Sequence, residues 1–325
     1  MKSSIKTVAL SANSSWYLFN FRQSTIKKAI SEGYNVLCIS PKDDYHLKLE
    51  ELGCKHYELN FNSKSINPFL DLFLLYKFYK IYKLIRPDFI FHFTIKNNIY
   101  GTIASRFLRI PSINNISGLG TAFLSFSFSL LIVKFLYKIS QPFAHKVFCQ
   151  NIEDYNYLIN KKLVRKENLD LLPGSGVDLE RFNTKLKLKE ANKNSIFTFL
   201  YAGRMLKDKG VHELVRAFSE VGEENKKCKL ILCGFTDVDN RSAITKDELD
   251  LISNIPNIEW IGSTDKIEDI LSYVDCVILP SYREGLPKIL LEAGAMGLPS
   301  LASDVPGCRN VIQEGVNGLL FKPKS

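Results

Sequence analysis

Short apolar runs alternate along the whole chain with longer stretches in which apolar residues follow helical spacing. In the first half, this pattern predicts strands over residues 7–11, 35–40, 88–93, 112–116 and 146–149, with helices such as 22–33 and 68–86 between them. The second half starts the pattern again, with strands predicted over residues 196–202, 229–233, 258–261, 275–280 and 299–303. Strands that alternate with helices form parallel sheets covered on both faces. We therefore expect an α/β protein with two doubly wound, Rossmann-like domains.

A stretch rich in proline and glycine separates the two halves. Residues 173–178 read Pro-Gly-Ser-Gly-Val-Asp, and a charged stretch, 185–194, precedes the next predicted strand. Both features are typical of a linker between domains. The predicted domains are residues 1–175 and 176–325.

The most informative polar pattern follows the strand predicted over 275–280. Glu284 and Glu292 lie eight positions apart, and Gly285-Leu286-Pro287 follows the first of them. Proline is favoured at the first helical position, so we expect a helix to begin at Pro287, with Glu292 about 1.5 turns inside it. A helix N-terminus offers N–H groups to an anion. Two carboxylates beside an anion suit a hydroxyl-rich ligand with a central phosphate, such as a nucleotide sugar.

Two basic residues follow the strand predicted over 196–202. Gly203-Arg204 comes directly after that strand, and Lys209-Gly210 precedes an amphipathic helix predicted over 211–220. Ligands of open α/β sheets bind beyond the carboxyl ends of the strands, where Arg and Lys can hold a diphosphate. Either residue alone would be better explained as a basic residue on a solvated loop. Combined with the two glutamates, the pair favours diphosphate binding.

Composition narrows the class of protein. Of the 325 residues, 46% are hydrophobic, and the mean hydropathy of -0.04 is ordinary for a soluble globular protein. The seven cysteines are scattered and lack Cys-x-x-Cys spacing, so we expect reduced thiols in a cytosolic protein and no zinc site. The N-terminus enters a strand rather than a signal peptide, and no apolar run reaches the roughly 18 residues that a spanning helix needs.

The net charge of +9 lies entirely in the first half. Residues 1–180 hold 23 basic and 14 acidic residues, whereas residues 181–325 hold 20 of each. This asymmetry is either drift in surface composition or the mark of an anionic partner such as a membrane. Motifs typical of nucleic-acid binding are absent from the sequence, so we expect no nucleic acid as a partner.

Two first-half stretches are unusually apolar. Residues 69–85 interleave Phe, Leu, Ile and Tyr with three lysines at a spacing of three, and residues 122–137 are apolar except for three serines and one lysine. Each is either a core helix with a solvated stripe or a basic amphipathic face that rests on an anionic membrane.

Taken together, the motifs resemble those of one known family. The second-half motifs are Gly203-Arg204-x4-Lys209-Gly210, Glu284-Gly-Leu-Pro-x4-Glu292, Gly297-Leu298-Pro299 and Ser303-Asp304-Val305-Pro306-Gly307. They resemble those of family 4 retaining glycosyltransferases of the GT-B fold, in which two Rossmann-like domains face a cleft. The first-half segments Ser14-Ser15-Trp16-Tyr17, Asn20-Phe21-Arg22, 92–101 and 114–120 are similar to a bacterial subgroup. That subgroup extends polyprenyl-diphosphate-linked glycans at the cytoplasmic membrane face, usually from a UDP-sugar.

The resemblance implies a role for each matching residue. Arg204 and Lys209 would bind the donor diphosphate and stabilise the charge that builds on the leaving UDP. Glu284 would contact sugar hydroxyls, and Glu292 would accept a hydrogen bond from the ribose. The remaining donor-binding positions are Gly203, Ile261 near the base, and Gly285, Leu286 and Pro287 against sugar and phosphate. Transfer would retain configuration by attack on the face from which UDP leaves, so neither glutamate is assigned as a nucleophile, and the resemblance implies no cofactor.

In the first domain, His92 ends a predicted strand. It is either a buried, hydrogen-bonded histidine or, as the resemblance implies, a catalytic residue that faces the cleft, helped by Lys96 and Asn98. The loop over residues 13–15 would approach the acceptor or a phosphate.

The chain departs from the family at three places. Ser117 stands where many members carry histidine, the first loop lacks the paired glycines common in the family, and the sequence stops where members usually continue to a last helix. The last difference predicts an incomplete C-terminal domain, weaker interdomain closure and reduced activity. Asp237-Val238-Asp239 matches a metal-binding pattern of another glycosyltransferase fold, but it lies away from the donor motifs, so we expect no metal.

Other functions stay open at this point. A sugar-nucleotide epimerase would act on its substrate without an acceptor, and a catalytically weak nucleotide-sugar binder would hold UDP without transferring anything. A dehydrogenase is disfavoured, because no Gly-x-Gly-x-x-Gly follows either opening strand.

Overall fold

The computed structural model describes residues 6–63, 65, 67–119, 128–186, 196–224, 227–236 and 242–324. The chain divides into two compact units, Met1–Ser175 and Gly176–Ser325. Each unit contains one sheet in which every strand pairing is parallel. The predicted α/β class with two doubly wound domains is confirmed, whereas the roles predicted for the two domains stay predictions.

Unit 1 contains seven strands in the order β3-β2-β1-β4-β5-β6-β7. The strands are β1 (Thr7–Ser11), β2 (Asn35–Ser40), β3 (Lys55–Glu58), β4 (Phe89–His92), β5 (Ser112–Ile116), β6 (Lys146–Cys149) and β7 (Leu169–Leu171). The helices are α1 (Ser15–Ser31), α2 (His46–Glu51), α3 (Pro68–Ile85), α4 (Thr102–Phe107), α5 (Phe128–Ser140) and α6 (Ile152–Asn160), and a wide helical turn, Asn97–Gly101, leads into α4. Val8 and Leu10 pack in one apolar core with residues of α1, while Ala9 packs in another with residues of α3. The sheet is therefore covered on both faces.

Unit 2 repeats this plan with six strands in the order β10-β9-β8-β11-β12-β13. The strands are β8 (Phe197–Ala202), β9 (Cys228–Cys233), β10 (Ile258–Trp260), β11 (Cys276–Leu279), β12 (Ser300–Ser303) and β13 (Gly318–Phe321). The helices are α7 (Val211–Glu224), α8 (Lys246–Ser253), α9 (Ile267–Leu271), α10 (Lys288–Ala295) and α11 (Pro306–Arg309). In both units the first strand lies inside the sheet, so the strand order reverses beside it, between β1 and β4 and between β8 and β11. Ligands of doubly wound sheets bind at the carboxyl edge beside such a switch point.

The first helix is longer than its sequence pattern predicts. It begins at Ser15 rather than Arg22, because the Ser14 hydroxyl caps it by accepting a hydrogen bond from the Tyr17 N–H at 3.1 Å. It ends at Ser31, before Gly33, whose φ of 82° suits glycine. The prediction of a start at residue 22 was wrong, because the aromatic residues before it hide the helical spacing.

Helix α3 matches its prediction to within one residue at its C-terminal end. The Asn67 side chain caps it by accepting a hydrogen bond from the Phe69 N–H, and Arg86 ends it with a φ of 42°. Leu74, Phe78 and Tyr82 form its buried stripe. None of the described helices combines the length and the hydrophobicity that crossing a bilayer requires.

Candidate functional site

The predicted donor residues of unit 2 lie on loops at one edge of its sheet. Gly203 and Arg204 follow β8, Glu284 follows β11, and Ile261 follows β10. Because β8, β10 and β11 run parallel to their neighbours, their carboxyl ends share one edge. The set therefore lies at the carboxyl edge, around the switch point between β8 and β11.

Close backbone packing joins the loop after β8 to the loop after β11. Gly210 has a φ of 72°, and a Cβ atom built on it would lie 2.2 Å from the carbonyl oxygen of Pro280. The N–H of Tyr282 donates to the carbonyl oxygen of Asp208 at 3.0 Å. Only glycine allows this approach at this backbone angle. The sequence motif therefore ends in glycine for a reason of packing as well as conformation.

Lys209 and Glu284, predicted to bind different parts of one ligand, contact each other. The Lys209 Nζ donates to Glu284 Oε1 at 2.6 Å, and the two side chains are 20% and 14% exposed. Each charge is thus compensated within the protein. An ammonium group has three donors, so contact with Glu284 leaves Lys209 the capacity to bind an anion as well. The pair places an ammonium group next to a carboxylate. The ammonium group can bind a phosphate and the carboxylate can accept hydrogen bonds from hydroxyls of the same ligand.

A second glycine fixes the backbone at Glu284. A Cβ atom on Gly307 would lie 2.4 Å from the Gly285 carbonyl oxygen and 2.9 Å from that of Glu284. Gly307 belongs to α11, so the motif over residues 303–307 packs closely against the loop that carries Glu284. Next to it, burial and the charge of Glu284 raise the pKa of the Cys308 thiol well above its usual range, which keeps the thiol neutral.

Helix α10 begins one residue later than the proline pattern predicts. Pro287 has a φ of -74° and an extended ψ of 116°, so it is the N-cap and Lys288 is the first helical residue. The prediction of Pro287 at the first helical position was wrong, because its fixed φ suits the cap as well. Glu292 lies one turn inside, 5% exposed, and pairs with Lys288 Nζ at 3.1 Å.

The loops after β8, β9 and β10 are also bound together. Gly234 has a φ of 157°, and a Cβ atom there would lie 1.7 Å from the Gly203 carbonyl oxygen. Its N–H donates to the Gly262 carbonyl oxygen at 2.7 Å, and the N–H of Ile261 donates to that of Leu232 at 3.0 Å. Gly203 and Ile261 therefore belong to one continuous surface of loops.

Two serines at this edge were missed by the sequence reasoning. Ser281 and Ser303 follow and end the neighbouring strands β11 and β12, and both are fully buried. Among the described protein atoms, neither hydroxyl has a hydrogen-bond partner. A buried hydroxyl without a partner is costly, and the described protein atoms do not offset this cost at either serine. In the sequence, both serines could have been noticed because each follows or ends an apolar strand and lies beside a recognised motif, that of Glu284 or that of residues 303–307.

In unit 1, His92 is a buried histidine with both ring nitrogens in hydrogen bonds, which is the first of the two alternatives given above. The ring is fully buried, Nε2 lies 2.9 Å from the Tyr82 hydroxyl, and Nδ1 lies 2.9 Å from Asn114 Oδ1. Burial lowers the pKa of His92 to about 4, so the ring is neutral near pH 7. A ring with no exposed surface and two occupied nitrogens has no position from which to contact a ligand. The expectation that His92 faces a cleft as a catalytic residue is corrected accordingly.

The residues expected to help His92 are also engaged inside unit 1. Lys96 Nζ pairs with Asp71 Oδ1 at 2.5 Å, and the Asn98 side chain donates to the Asn115 carbonyl oxygen at 3.1 Å. Lys96 is thus held against α3, and Asn98 of the Asn97–Gly101 turn is held against β5.

Metal binding has no support in the described ranges. They contain no group of three or more His, Cys, Asp or Glu side chains placed to hold an ion. Asp237 and Asp239 lie outside the residues that the structure describes.

Comparison with known proteins identifies the family. The family described as "Glycosyl transferase 4-like" matches residues 7–151, and "Glycosyl transferases group 1" matches residues 183–325. The N,N'-diacetylbacillosaminyl-diphospho-undecaprenol alpha-1,3-N-acetylgalactosaminyltransferase of Campylobacter jejuni is 30% identical over 322 residues, which cover 95% of this chain and 83% of that protein. The chain is a family 4 glycosyltransferase of the GT-B fold. The resemblance inferred from its motifs is confirmed.

Two further proteins place this glycosyltransferase among its relatives. The UDP-Gal:alpha-D-GlcNAc-diphosphoundecaprenol alpha-1,3-galactosyltransferase of Escherichia coli is 26% identical over 80% of this chain and 68% of its own. The crystal structure of Anabaena HepE in complex with UDP and glucose matches with a TM-score of 0.78 at 19% identity, over 98% of this chain and 86% of that one. At that identity the structural likeness concerns the fold alone.

Proposed function

We propose that this glycosyltransferase moves a hexose or N-acetylhexosamine from a UDP-sugar to a polyprenyl-diphosphate-linked glycan, with retention of configuration. The Campylobacter and Escherichia relatives are both named for α-1,3 transfer to a diphospho-undecaprenol-linked sugar, and the second is named for UDP-Gal. The observation that carries the proposal is the paired Lys209 and Glu284 at the switch point of unit 2. It offers one cation to a diphosphate and one carboxylate to sugar hydroxyls.

The proposed chemistry needs only the two substrates and these side chains. The bond between the sugar C1 and the β-phosphate oxygen breaks, the bond between C1 and the acceptor oxygen forms on the same face, and the acceptor proton passes to the departing phosphate. Arg204 and Lys209 stabilise the charge on the leaving UDP, which in such sites is usually the largest catalytic contribution. Glu284 positions the sugar by its hydroxyls, and Glu292 accepts a hydrogen bond from the ribose.

We further propose that unit 1 rests on the anionic inner face of the cell membrane through α3. The first half of α3 exposes Phe69 by 82%, Leu72 by 67% and Phe73 by 55%, although its core stripe is already buried. Lysines lie over the rings beside them, with Lys77 Nζ at 4.9 Å from the centre of Phe73. Exposed aromatic rings flanked by lysines are typical of helices that lie at a membrane surface.

Helix α5 supports the same proposal. Leu131, Phe135 and Ile139 recur every four residues and are 57%, 64% and 42% exposed. Like α3, α5 packs against the Asn97–Gly101 turn. Residues 69–85 and the described part of residues 122–137 therefore each expose apolar side chains, in the half of the chain that carries the positive charge.

The transfer proposal is tested by UDP release from a panel of UDP-sugars, with and without a short-chain polyprenyl-diphosphate-linked sugar. Lys209→Ala should lower kcat by about 100- to 1,000-fold, as expected for loss of a preorganised cation. Lys207→Ala, which removes an exposed lysine from the same turn, is the matched control and should keep wild-type turnover. UDP release without any need for acceptor, or turnover unchanged in Lys209→Ala, would contradict the proposal.

Membrane contact is tested by sedimentation with vesicles of phosphatidylcholine alone or mixed with phosphatidylglycerol. The double variant F69S/F73S should bind the mixed vesicles at least about tenfold more weakly, because each buried aromatic ring contributes about 1.5–3 kcal/mol. Leu251→Ser, at an exposed leucine of α8, should bind as the wild type does. Equal sedimentation of F69S/F73S and the wild type would refute a role for α3.

A further inference from the structure

Arg22 of α1 is a buried cation that the packing of unit 1 does not explain. The residue is 4% exposed, and its guanidinium lies 4.2 Å from the centre of the Phe93 ring. One amino group donates to the Tyr17 hydroxyl at 3.2 Å, while Nε has no hydrogen-bond partner. Within the part of the chain that the structure describes, no carboxylate forms an ion pair with Arg22. Burying a charge without a counter-charge costs solvation free energy, and a bound anion beside Arg22 would offset that cost.

The two hydroxyls beside Arg22 also lack an acceptor. The Tyr17 and Ser117 hydroxyls lie 2.8 Å apart, and their hydrogen bond uses one of their two protons. Arginine only donates, so it offers no acceptor for the other proton. Apart from this shared bond, no described residue accepts a hydrogen bond from either hydroxyl, and both side chains are partly exposed. The group of Arg22, Tyr17 and Ser117, named here the Arg22 cluster, therefore combines a cation without a counter-charge and one hydroxyl proton that no described residue accepts.

The Arg22 cluster lies where a doubly wound sheet binds its ligands. Phe93 directly follows β4, Ser117 directly follows β5, and α1 is the helix that follows β1. The strand order reverses between β1 and β4, so these residues surround the carboxyl edge at the switch point of unit 1. Lys209 and Glu284 hold the corresponding place in unit 2, beside β8 and β11.

The geometry points to the Arg22 cluster as a binding site for a phosphoryl group of a substrate. A guanidinium binds phosphate oxygens with two parallel hydrogen bonds, and a hydroxyl proton adds a third donor. In the proposed reaction, both the lipid-linked acceptor and the UDP-sugar carry a diphosphate. Only the identity of the phosphate rests on the proposed function; the site itself rests on the buried cation and on the hydroxyl proton that has no acceptor among the described residues.

The test is calorimetric binding of two diphosphates to the full chain, with farnesyl diphosphate as the acceptor probe and UDP as the donor probe. Arg22→Met keeps the length and the apolar contacts of the side chain but removes the charge. It should weaken binding of one of the two probes at least tenfold, and should leave binding of farnesol, which lacks the diphosphate, unchanged. Lys27→Met removes the same charge from an exposed position on α1 and is the matched control.

Which probe is affected identifies the source of the phosphate. Weaker binding of farnesyl diphosphate assigns the cluster to the acceptor, and weaker binding of UDP assigns it to the donor. The proposal is overturned if Arg22→Met binds both probes as the wild type does, if farnesol binding falls equally, or if the wild type binds neither diphosphate. Because binding is measured without turnover, absence of sugar transfer would reject the proposed function and leave this result intact.

Stability separates a binding role from a structural one. Since Arg22 is buried without a counter-charge, Arg22→Met should unfold at the same temperature as the wild type or at a higher one. If Arg22→Met does not fold, Tyr17→Phe takes its place, because it keeps the ring and removes the hydroxyl that joins Arg22 to Ser117. Tyr17→Phe should then weaken the same probe, and a stable Tyr17→Phe protein with wild-type affinity for both probes overturns the proposal.

Discussion

Single residues at the switch point of unit 2 act through their backbone as much as through their side chains. Lys209 and Glu284 supply the charges, but their loops stay in place because Gly210 packs on Pro280 and Gly307 packs on Gly285. These glycines leave no room for a Cβ atom. The geometry of the charged pair therefore depends on residues that carry no chemistry of their own.

Replacing Gly210 with alanine should destabilise unit 2 by about 3 kcal/mol or more, because a positive φ and a steric overlap act together. Gly315→Ala is the matched control, since Gly315 has a φ of 74° but nothing within 4 Å of its Cβ position. It should cost only about 1–2 kcal/mol. Urea unfolding monitored by circular dichroism measures both, and equal losses would show that the contact with Pro280 is unimportant.

His92 should make unit 1 less stable in mild acid. Its pKa is lowered to about 4 in the folded chain from about 6.5 in the unfolded chain, so only the unfolded state gains a proton between these values. The free energy of unfolding should therefore fall as the pH falls through 6.5, by about 1.3 kcal/mol between pH 7.5 and 5.5. His92→Gln should lack this component, so the stability difference between wild type and variant should narrow on acidification. A difference that stays constant with pH would contradict the neutral, buried ring.

Residue types and their positions along the sequence were enough to predict that the charged groups lie together at the carboxyl edge of unit 2, whereas their contact with a donor stays a prediction. Arg204, Lys209 and Glu284 each follow a recognisable strand, and strand ends meet at one edge. The location of His92 could not be predicted in the same way. Its burial depends on Tyr82 and Asn114, which other elements bring to its two nitrogens.

At the scale of elements, α1 shows how a cap sets the length of a helix. The helix starts at Ser15 because Ser14 accepts a hydrogen bond from the Tyr17 N–H. This start places Tyr17 and Arg22 on one helix, within reach of each other at 3.2 Å. The sequence reasoning began the helix at residue 22 and so missed that relation.

Removing the cap should therefore destabilise unit 1. Ser14→Ala should lower the free energy of unfolding by about 1 kcal/mol, the usual loss for a serine N-cap. Ser24→Ala, at an exposed position inside the same helix, should leave stability unchanged or slightly higher. Urea denaturation of both variants measures the difference, and equal effects would show that the Ser14 cap contributes nothing.

The missed strands are short edge strands. β3, β7 and β13 lie at the ends of their sheets, and the four residues of β3, Lys-His-Tyr-Glu, include none that is fully buried. Central strands are buried on both faces and appear in the sequence as apolar runs, whereas β3 and β7 contain charged residues and have no such pattern. These three strands are defined by their pairing with a neighbouring strand, and the sequence does not show that pairing.

At the scale of the whole molecule, one topology appears twice with different surface chemistry. Unit 1 carries all of the net positive charge and two exposed apolar stripes, and unit 2 carries the paired lysine and glutamate at its switch point. This division fits a lipid-linked substrate and a nucleotide sugar handled by one chain. The repeated alternation of strands and helices made the two parallel sheets predictable. The exposure of the apolar stripes could not be predicted from the sequence, because an apolar helix can equally be buried.

The account depends most on the claim that a sugar moves to a lipid-linked acceptor. The most direct measurement is the mass of a short-chain polyprenyl-diphosphate-linked sugar after incubation with each UDP-sugar and the wild-type protein, Lys209→Ala or Lys207→Ala. The account predicts that the acceptor gains one sugar residue with the wild type and Lys207→Ala, and gains almost none with Lys209→Ala. An acceptor of unchanged mass beside an epimerised or hydrolysed UDP-sugar would contradict it.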